Sequence, residues 1–321
     1  MSQVLRRIDP AAKADTLLLG PDGFDDAGAV AGENGMVQLY TVDFFPPVVD
    51  DPAAYGAIAA SNSLSDIWAC GGEPKVVLNL AGFPADWDQE TLNPIFDAAV
   101  QKVREAGALW VGGHSVRAEE PLFGFAVFGE VAEDLLVTQQ GAKPGDHIYL
   151  TKPLGSGSIT TGVKKGRVSP EQEQRAVEGM AELNKVAGAA LRAAKVKAAT
   201  DITGFGLLGH SFNMARASEV TLLLSAADLP LYDGAADLAA DGIFSGAANR
   251  GREGLGSNVE IGAGVEDWMA ALCFDAETSG GVLACINPDQ VPAFLAEMGD
   301  QMALKVGEVQ EGPAKVVLGS L

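Results

Sequence analysis

Basic residues are scarce in this chain: 22 Lys and Arg stand against 43 Asp and Glu, a formal charge of −21. Phosphate backbones and anionic membrane surfaces repel such a surface, which argues against nucleic acid and membrane as partners. Long apolar runs are missing as well. No window approaches the roughly 18 uninterrupted apolar residues that a span requires, and the opening "MSQVLRRIDP" has two arginines without the apolar stretch of a secretory signal. Cysteine is confined to Cys70, Cys273 and Cys285. They are odd in number and lack C-x-x-C spacing, so neither a disulfide framework nor a zinc site is indicated, and small buried thiols in a reducing cytoplasm are expected. A G-x-x-x-x-G-K-[ST] loop is absent, which excludes a Walker A site.

What is present is an ordinary globular composition, 47% hydrophobic, with 39 glycines often set in pairs. A chain of 321 residues suggests two domains. "MVQLYTVDFF" (36–45) reads as a strand. Asp51 as N-cap, Pro52 after it and the Gly71–Gly72 pair bound a helix over 52–70. A buried strand at 75–83 and a helix at 88–107 follow. "ALWVGGHS" and "LFGFAVFGEV" supply two more strands around a loop at 112–121. The polar stretch "AEDLLVTQQGAKPGD" marks a boundary, giving domains 1–140 and 141–321. In the second half we expect a strand in "HIYLTKP", a long helix over about 169–195, a short strand in "VKAAT" and strands in "EVTLLLS", "GGVLACI" and "AKVVLG". The fold class is α/β in the α+β sense, with mixed sheets in both domains and helices flanking the second.

"DITGFGLLGH" (201–210) contains the spelling G-x-G-x-x-G of a dinucleotide-binding turn, with a helix-like segment, a strand and Asp228 behind it. The preceding strand is short and polar, and a lone motif of this kind is weak. The carboxylates offer another reading. Asp25 and Asp26 adjoin in a glycine-flanked turn, and Asp43 sits at the end of an apolar strand where a charge needs a partner. Asn62 and Asp66 share one helix face at i, i+4, and Asp201 opens the glycine motif. Each alone has an ordinary explanation as a turn, edge, stripe or cap residue. Together, on a chain short of bases, they suggest a site neutralised by divalent cations. Mg²⁺ prefers one or two carboxylates plus phosphate oxygens, which points to a nucleotide polyphosphate. The "VGGHS" loop (111–115) could add a backbone anion nest.

The segments "DDAGAV", "TVDFFPPVVDDPAAYGAIAASNSLSDIWACGG", "GGHSVRAEEPLFGFAVFGEV", "LTKPLGSG", "DITGFGLLGH" and "DAETSGGVL" occur in the order seen in selenophosphate synthetases, and the chain resembles that family over about residues 16 to 320. The wider superfamily includes aminoimidazole ribonucleotide synthetase, thiamine-monophosphate kinase and a hydrogenase maturation protein. The resemblance implies a cytoplasmic homodimer whose N-terminal domains share a barrel, and ATP bound with several Mg²⁺ ions, leaving K⁺ open. By match, Asp26, Asp66 and Asp201 would be Mg²⁺ ligands, with Asp43 beside both metal and ATP. Asp66, Gly112, Gly113, His114 and Ser115 would hold the nucleotide, and Gly23, Phe24 and Asp25 would border it. The implied reaction turns ATP, selenide and water into selenophosphate, AMP and phosphate. On this reading Asp201 is a metal ligand ahead of a tight turn, not part of a nicotinamide site.

Most members also carry a glycine-rich segment with a reactive Cys or selenocysteine and a Lys three residues on. Nothing here matches it: "MSQVLRRIDP" corresponds to a helix beyond that segment, so the catalytic Cys and Lys are unassigned. A shortened enzyme, an ATP/Mg²⁺-binding homologue without selenide turnover, and another kinase or synthetase of the superfamily all stay open, with a dinucleotide oxidoreductase as the remoter alternative.

Overall fold

The computed structural model of the chain describes residues 15–20 and 25–319. Gly23, Phe24 and the expected first helix lie outside the described residues. Strands β1 (Leu17–Leu19), β2 (Gly28–Ala31), β3 (Met36–Phe45), β4 (Glu73–Phe83), β5 (Leu109–Arg117) and β6 (Leu122–Ala132) form one sheet in the order β1-β2-β3-β6-β4-β5. It is mixed: β4 and β5 are parallel, and the other neighbours are antiparallel.

Two helices cover one face. In α1 (Pro52–Ala69) the Asp51 carboxylate accepts from the Ala53 and Ala54 amides, Pro52 sets the first turn, and Gly71, at φ 73°, ends the helix. In α2 (Gln89–Ala106) Asp88 caps Thr91 N–H and Gly107 closes the end at φ 84°. The two cross at Gly56, where a Cβ would lie 2.0 Å from the Ile95 carbonyl oxygen. Only glycine allows that approach. The period of β3 divides its side chains: Val37 and Leu39 are buried toward the helices, with Thr41 and Asp43 continuing that face, while Met36, Tyr40, Val42 and Phe44 project outward into solvent.

The second sheet joins β7 (His147–Leu150), β8 (Ala198–Asp201), β9 (Thr221–Ser225), β10 (Val259–Ile261), β11 (Val282–Ile286), β12 (Leu304–Gln310) and β13 (Lys315–Gly319), in the order β10-β13-β9-β12-β7-β11-β8. Its helices include α3 (Ser156–Lys164), α4 (Pro170–Ala181), α5 (Lys185–Ala193), α6 (Gly206–Ser218), α7 (Ala235–Ala240), α8 (Ala247–Leu255), α9 (Asp267–Phe274) and α10 (Val291–Met298). Alternate residues of β11 feed separate apolar clusters on the two faces: Leu283 and Cys285 join one, Val282, Ala284 and Ile286 the other. Helices α4 and α5 also rest on α1; Met180 and Leu183 belong to the first domain's core, and Gly188 leaves no room for a Cβ beside Trp68.

Three expectations are corrected. The helix foreseen over 169–195 is two helices, because Glu182 is extended and Asn184 turns its side chain into the domain contact. "VGGHS" is not a loop: β5 runs through it, paired in parallel with β4 apart from a one-residue irregularity at Val111. Gly113 (φ 159°) is needed there because a Cβ would collide with Asn79 on β4. Finally, β8 and β9, which flank the glycine turn and α6, are separated in the sheet by β11, β7 and β12. A dinucleotide unit requires those strands to be neighbours, so that alternative fails on topology.

Candidate active site

The two sheets meet where α1 lies over β3 and the end of β8 comes up beneath it. Asn62 and Asp66, one turn apart, both face β3. Asn62 Nδ2 donates to Asp43 Oδ2 at 2.6 Å, and Thr41 Oγ1 donates to Asp66 Oδ2 at 2.5 Å. Thr41 and Asp43 can both be reached because they point the same way along the strand. Ahead of β2, Asp26 accepts from Thr200 Oγ1 at 2.7 Å and Gln139 Nε2 at 3.1 Å, and Asp25 accepts from the Gln139 amide at 2.8 Å. Thr200 belongs to β8, so Asp26 is held by the second sheet.

Asp201, the last residue of β8, is only 1% exposed, and among the described residues its Oδ2 has no hydrogen-bond partner. It is the common neighbour of the group. Burial pushes Asp26, Asp43 and Asp66 upward, and the Asp201 charge is the next contribution for each; Asp43 reaches about 6. Asp201 is itself raised by burial, against opposition from the Ser65 hydroxyl and the Lys152 ammonium. None of these four carboxylates takes part in an ion pair among the described residues. Four mutually repelling carboxylates with an open buried oxygen suit an oxygen-seeking divalent cation. No three His, Cys, Asp or Glu side chains among the described residues form a ready cage. That fits an ion that draws its remaining ligands from phosphate and water.

His210 organises the second-sheet side. Its Nε2 accepts from the Thr203 amide at 3.1 Å, which places the ring proton on Nδ1, 3.5 Å from Thr200 Oγ1. Burial holds the ring down at about 4, so it is neutral at pH 7. Thr200 is thereby left to donate to Asp26.

The structure brings Asp25, Asp26, Asp43, Asp66 and Asp201 together; Gly112, Gly113, His114 and Ser115 stand apart. They lie on the exposed edge strand β5, three strands from β3, or about 14 Å at ordinary ladder spacing. Cys70 lies close to the group, but burial first, and then Asp26 and Asp66, push its thiol far up, so it is not a thiolate nucleophile. Cys273 and Cys285 are also buried and shifted upward. Sequence reasoning missed Thr41, Gln139, Thr200 and His210. Thr41 and Thr200 are two residues and one residue from flagged aspartates, a signal that was available. Gln139, in a polar linker, had none.

A family model described as "AIR synthase related protein, N-terminal domain" matches residues 24–131, and its C-terminal counterpart matches residues 143–319. The chain therefore belongs to the AIR synthase-related proteins. Within them it is 37% identical over 298 residues to the selenide, water dikinase of Clostridioides difficile (strain 630), covering 93% of this chain and 86% of that protein. It is 40% identical over 307 residues to selenide, water dikinase 2 of Peptoclostridium acidaminophilum, covering 95% and 88%. It is a member of the selenide, water dikinase family. Among solved structures, AaThiL complexed with AMPPCP and TMP matches with a TM-score of 0.73 at 18% identity, over 98% of this chain and 92% of that one, which shows a shared fold.

Proposed function

We propose that the chain makes selenophosphate from ATP, selenide and water, releasing AMP and phosphate. The observation that carries the reading is the group of Asp26, Asp43, Asp66 and Asp201, drawn from both domains, without an ion pair among the described residues and around one buried oxygen that has no hydrogen-bond partner there. Membership of the selenide, water dikinase family supports the substrate assignment. Asp26, Asp66 and Asp201 would hold Mg²⁺ with Asp43 beside them, and bound Mg²⁺ would neutralise charge developing on the transferred phosphoryl group. Thr41, Thr200, Gln139 and Asn62 orient those carboxylates. Asp25, Gly112, Gly113, His114 and Ser115 would bind the nucleotide, and K⁺ would be a further cation. Gly23 and Phe24 keep their proposed place at its border by motif alone. We take residues 1–140 and 141–321 as the two domains.

We further propose a cytoplasmic homodimer formed through the first sheet. No helix among the described residues is long and apolar enough to cross a membrane. The sheet's bare face exposes Val42 and Phe44 on β3 by about half and Leu109 and Val111 on β5 by more, and exposed apolar side chains on a face without helices support an association surface. The buried, protonated cysteines favour one second reading, a nucleotide-binding homologue without selenide turnover.

³¹P NMR with ATP, Mg²⁺, K⁺ and selenide under anaerobic reducing conditions separates the two. A selenophosphate resonance accompanied by AMP and phosphate is expected. Unchanged ATP, in a sample that binds it, would leave only the second reading.

A further inference from the structure

Lys152 is 3% exposed and belongs to no ion pair among the described residues. Its Nζ donates instead to two carbonyls, Glu182 O at 2.7 Å and Ser279 O at 2.9 Å. A buried ammonium served only by neutral carbonyls is expensive. The nearby negative charge of Asp201 and Glu182 offsets part of that cost. Ser279 is unusual in its own way. It is a buried non-glycine residue at φ 51°, a left-handed conformation that side chains disfavour. In this turn its carbonyl meets Lys152 while its N–H donates to Asn62 Oδ1 at 2.9 Å. The next carbonyl, Gly280 O, is held by Asn184 Nδ2 at 2.9 Å, and the same Asn184 amide group reaches Ser65 on α1.

This fixes the Asn62 side-chain amide. With its oxygen committed to Ser279, its NH₂ is the end that faces Asp43. Released from Ser279, the amide could turn and set oxygen against carboxylate. We infer that Lys152 is a positioning residue for Asp43, acting across the domain boundary through the backbone of Ser279 and the side chain of Asn62. The inference rests on the reading of Asp43 as part of the Mg·ATP site. Lys152 touches no reacting atom, and the hydroxyl of Ser279, which has no partner among the described residues, is not part of the link.

Two readouts test it. In ligand-free protein, hydrogen exchange at the Ser279 amide should speed up at least about tenfold in Lys152→Met, because the turn that presents this N–H to Asn62 Oδ1 is no longer pinned through its carbonyl. Calorimetric Mg·ATP binding should weaken about tenfold in Lys152→Met and at least as much in Asp43→Asn, while the double variant should be within about twofold of Asp43→Asn alone, as members of one network require. Lys185→Met is the control, since Lys185 also donates to a carbonyl, Glu105 O, but at an exposed position; it should bind like the wild type. Unchanged affinity in folded Lys152→Met, or losses that multiply fully in the double variant, would overturn the link. Should Lys152→Met fail to fold, Asn62→Ala cuts the same link from α1, and wild-type affinity there would overturn it equally. If the wild type binds no Mg·ATP, the functional reading falls, and the Ser279 exchange rate alone decides the link: faster exchange supports it, unchanged exchange rejects it.

Discussion

The seven-stranded sheet has an apolar cluster on each face, one including Leu208, Met214 and Phe274 and the other Leu191 and Phe294. The six-stranded sheet has one such cluster, and on its other face Val42, Phe44 and Val111 are open to solvent. The carboxylates differ in parallel. Asp26, Asp43 and Asp66 each accept a hydrogen bond from a neutral side chain; Asp201, at the end of the fully buried β8, has the Ser65 hydroxyl near it but among the described residues keeps Oδ2 without a partner. A sheet packed on both sides can hold an unsatisfied charge in place, because the surrounding core resists the collapse or rotation that would relieve it. The half-covered sheet supplies carboxylates held by neutral partners and leaves one apolar face bare.

The sharpest break in this division is to remove a ligand from the helix over the first sheet. Asp66→Asn should weaken Mg·ATP on the order of 100-fold, about 2.7 kcal/mol, in a calorimetric titration. Next comes the bare face: Val42→Glu paired with Val111→Lys should cost on the order of 2 kcal/mol in self-association and give a monomer by light scattering. The same charges placed on β11, which is buried on both faces, would unfold the second domain.

The pH dependence of the ligand-free protein refines the comparison. The Asp43 carboxyl lies at about 6 in the fold against an ordinary 3.8. Its folded value is raised, so its stabilising contribution is complete below pH 3.8 and is lost as pH rises through about 6. Asp26, Asp66 and Asp201 shift in the same direction. His210 opposes them: at about 4 in the fold against 6.5, it contributes above pH 6.5, and that contribution is lost as pH falls through about 4. Asp43→Asn isolates the first effect. Urea melts should find it more stable than the wild type at pH 7, by on the order of 2 kcal/mol, with the gap closing by pH 4. A constant gap would reject the assignment. The smallest effect is expected at the exposed Lys315–Glu260 pair on the second sheet, where Lys315→Ala should change stability by less than about 1 kcal/mol.

Much of the first sheet was legible because its strands and helices carry local signals. Asp51-Pro52 and the glycine pair bracket α1, and the alternation in "MVQLYTVDFF" marks β3. Part of the convergence was legible because Asp43 and Asp66 sit on those two well-signalled elements. Other features needed three dimensions. "VGGHS" looked like a loop because paired glycines usually break strands, yet Gly113 is there to let Asn79 approach. The break at 182–184 has no local signal in an Ala/Glu-rich run; Asn184 and the Glu182 carbonyl are claimed by Ser65, Gly280 and Lys152, distant in sequence. The three-residue β10 and the six-residue α7 are too short for a period to show. The glycine spelling in "GFGLLG" misled for a related reason: it describes a turn, whereas a dinucleotide site also depends on which strands are neighbours.

The most direct measurement is the pair of readouts on Asp201→Asn: Mg·ATP affinity by calorimetry and the melting temperature of the ligand-free protein. Removing a buried charge that repels three others should raise the ligand-free melting temperature by a few degrees while reducing Mg·ATP affinity on the order of 100-fold. An Asp201→Asn protein that binds Mg·ATP like the wild type would contradict a site completed by the second sheet, whatever its melting temperature.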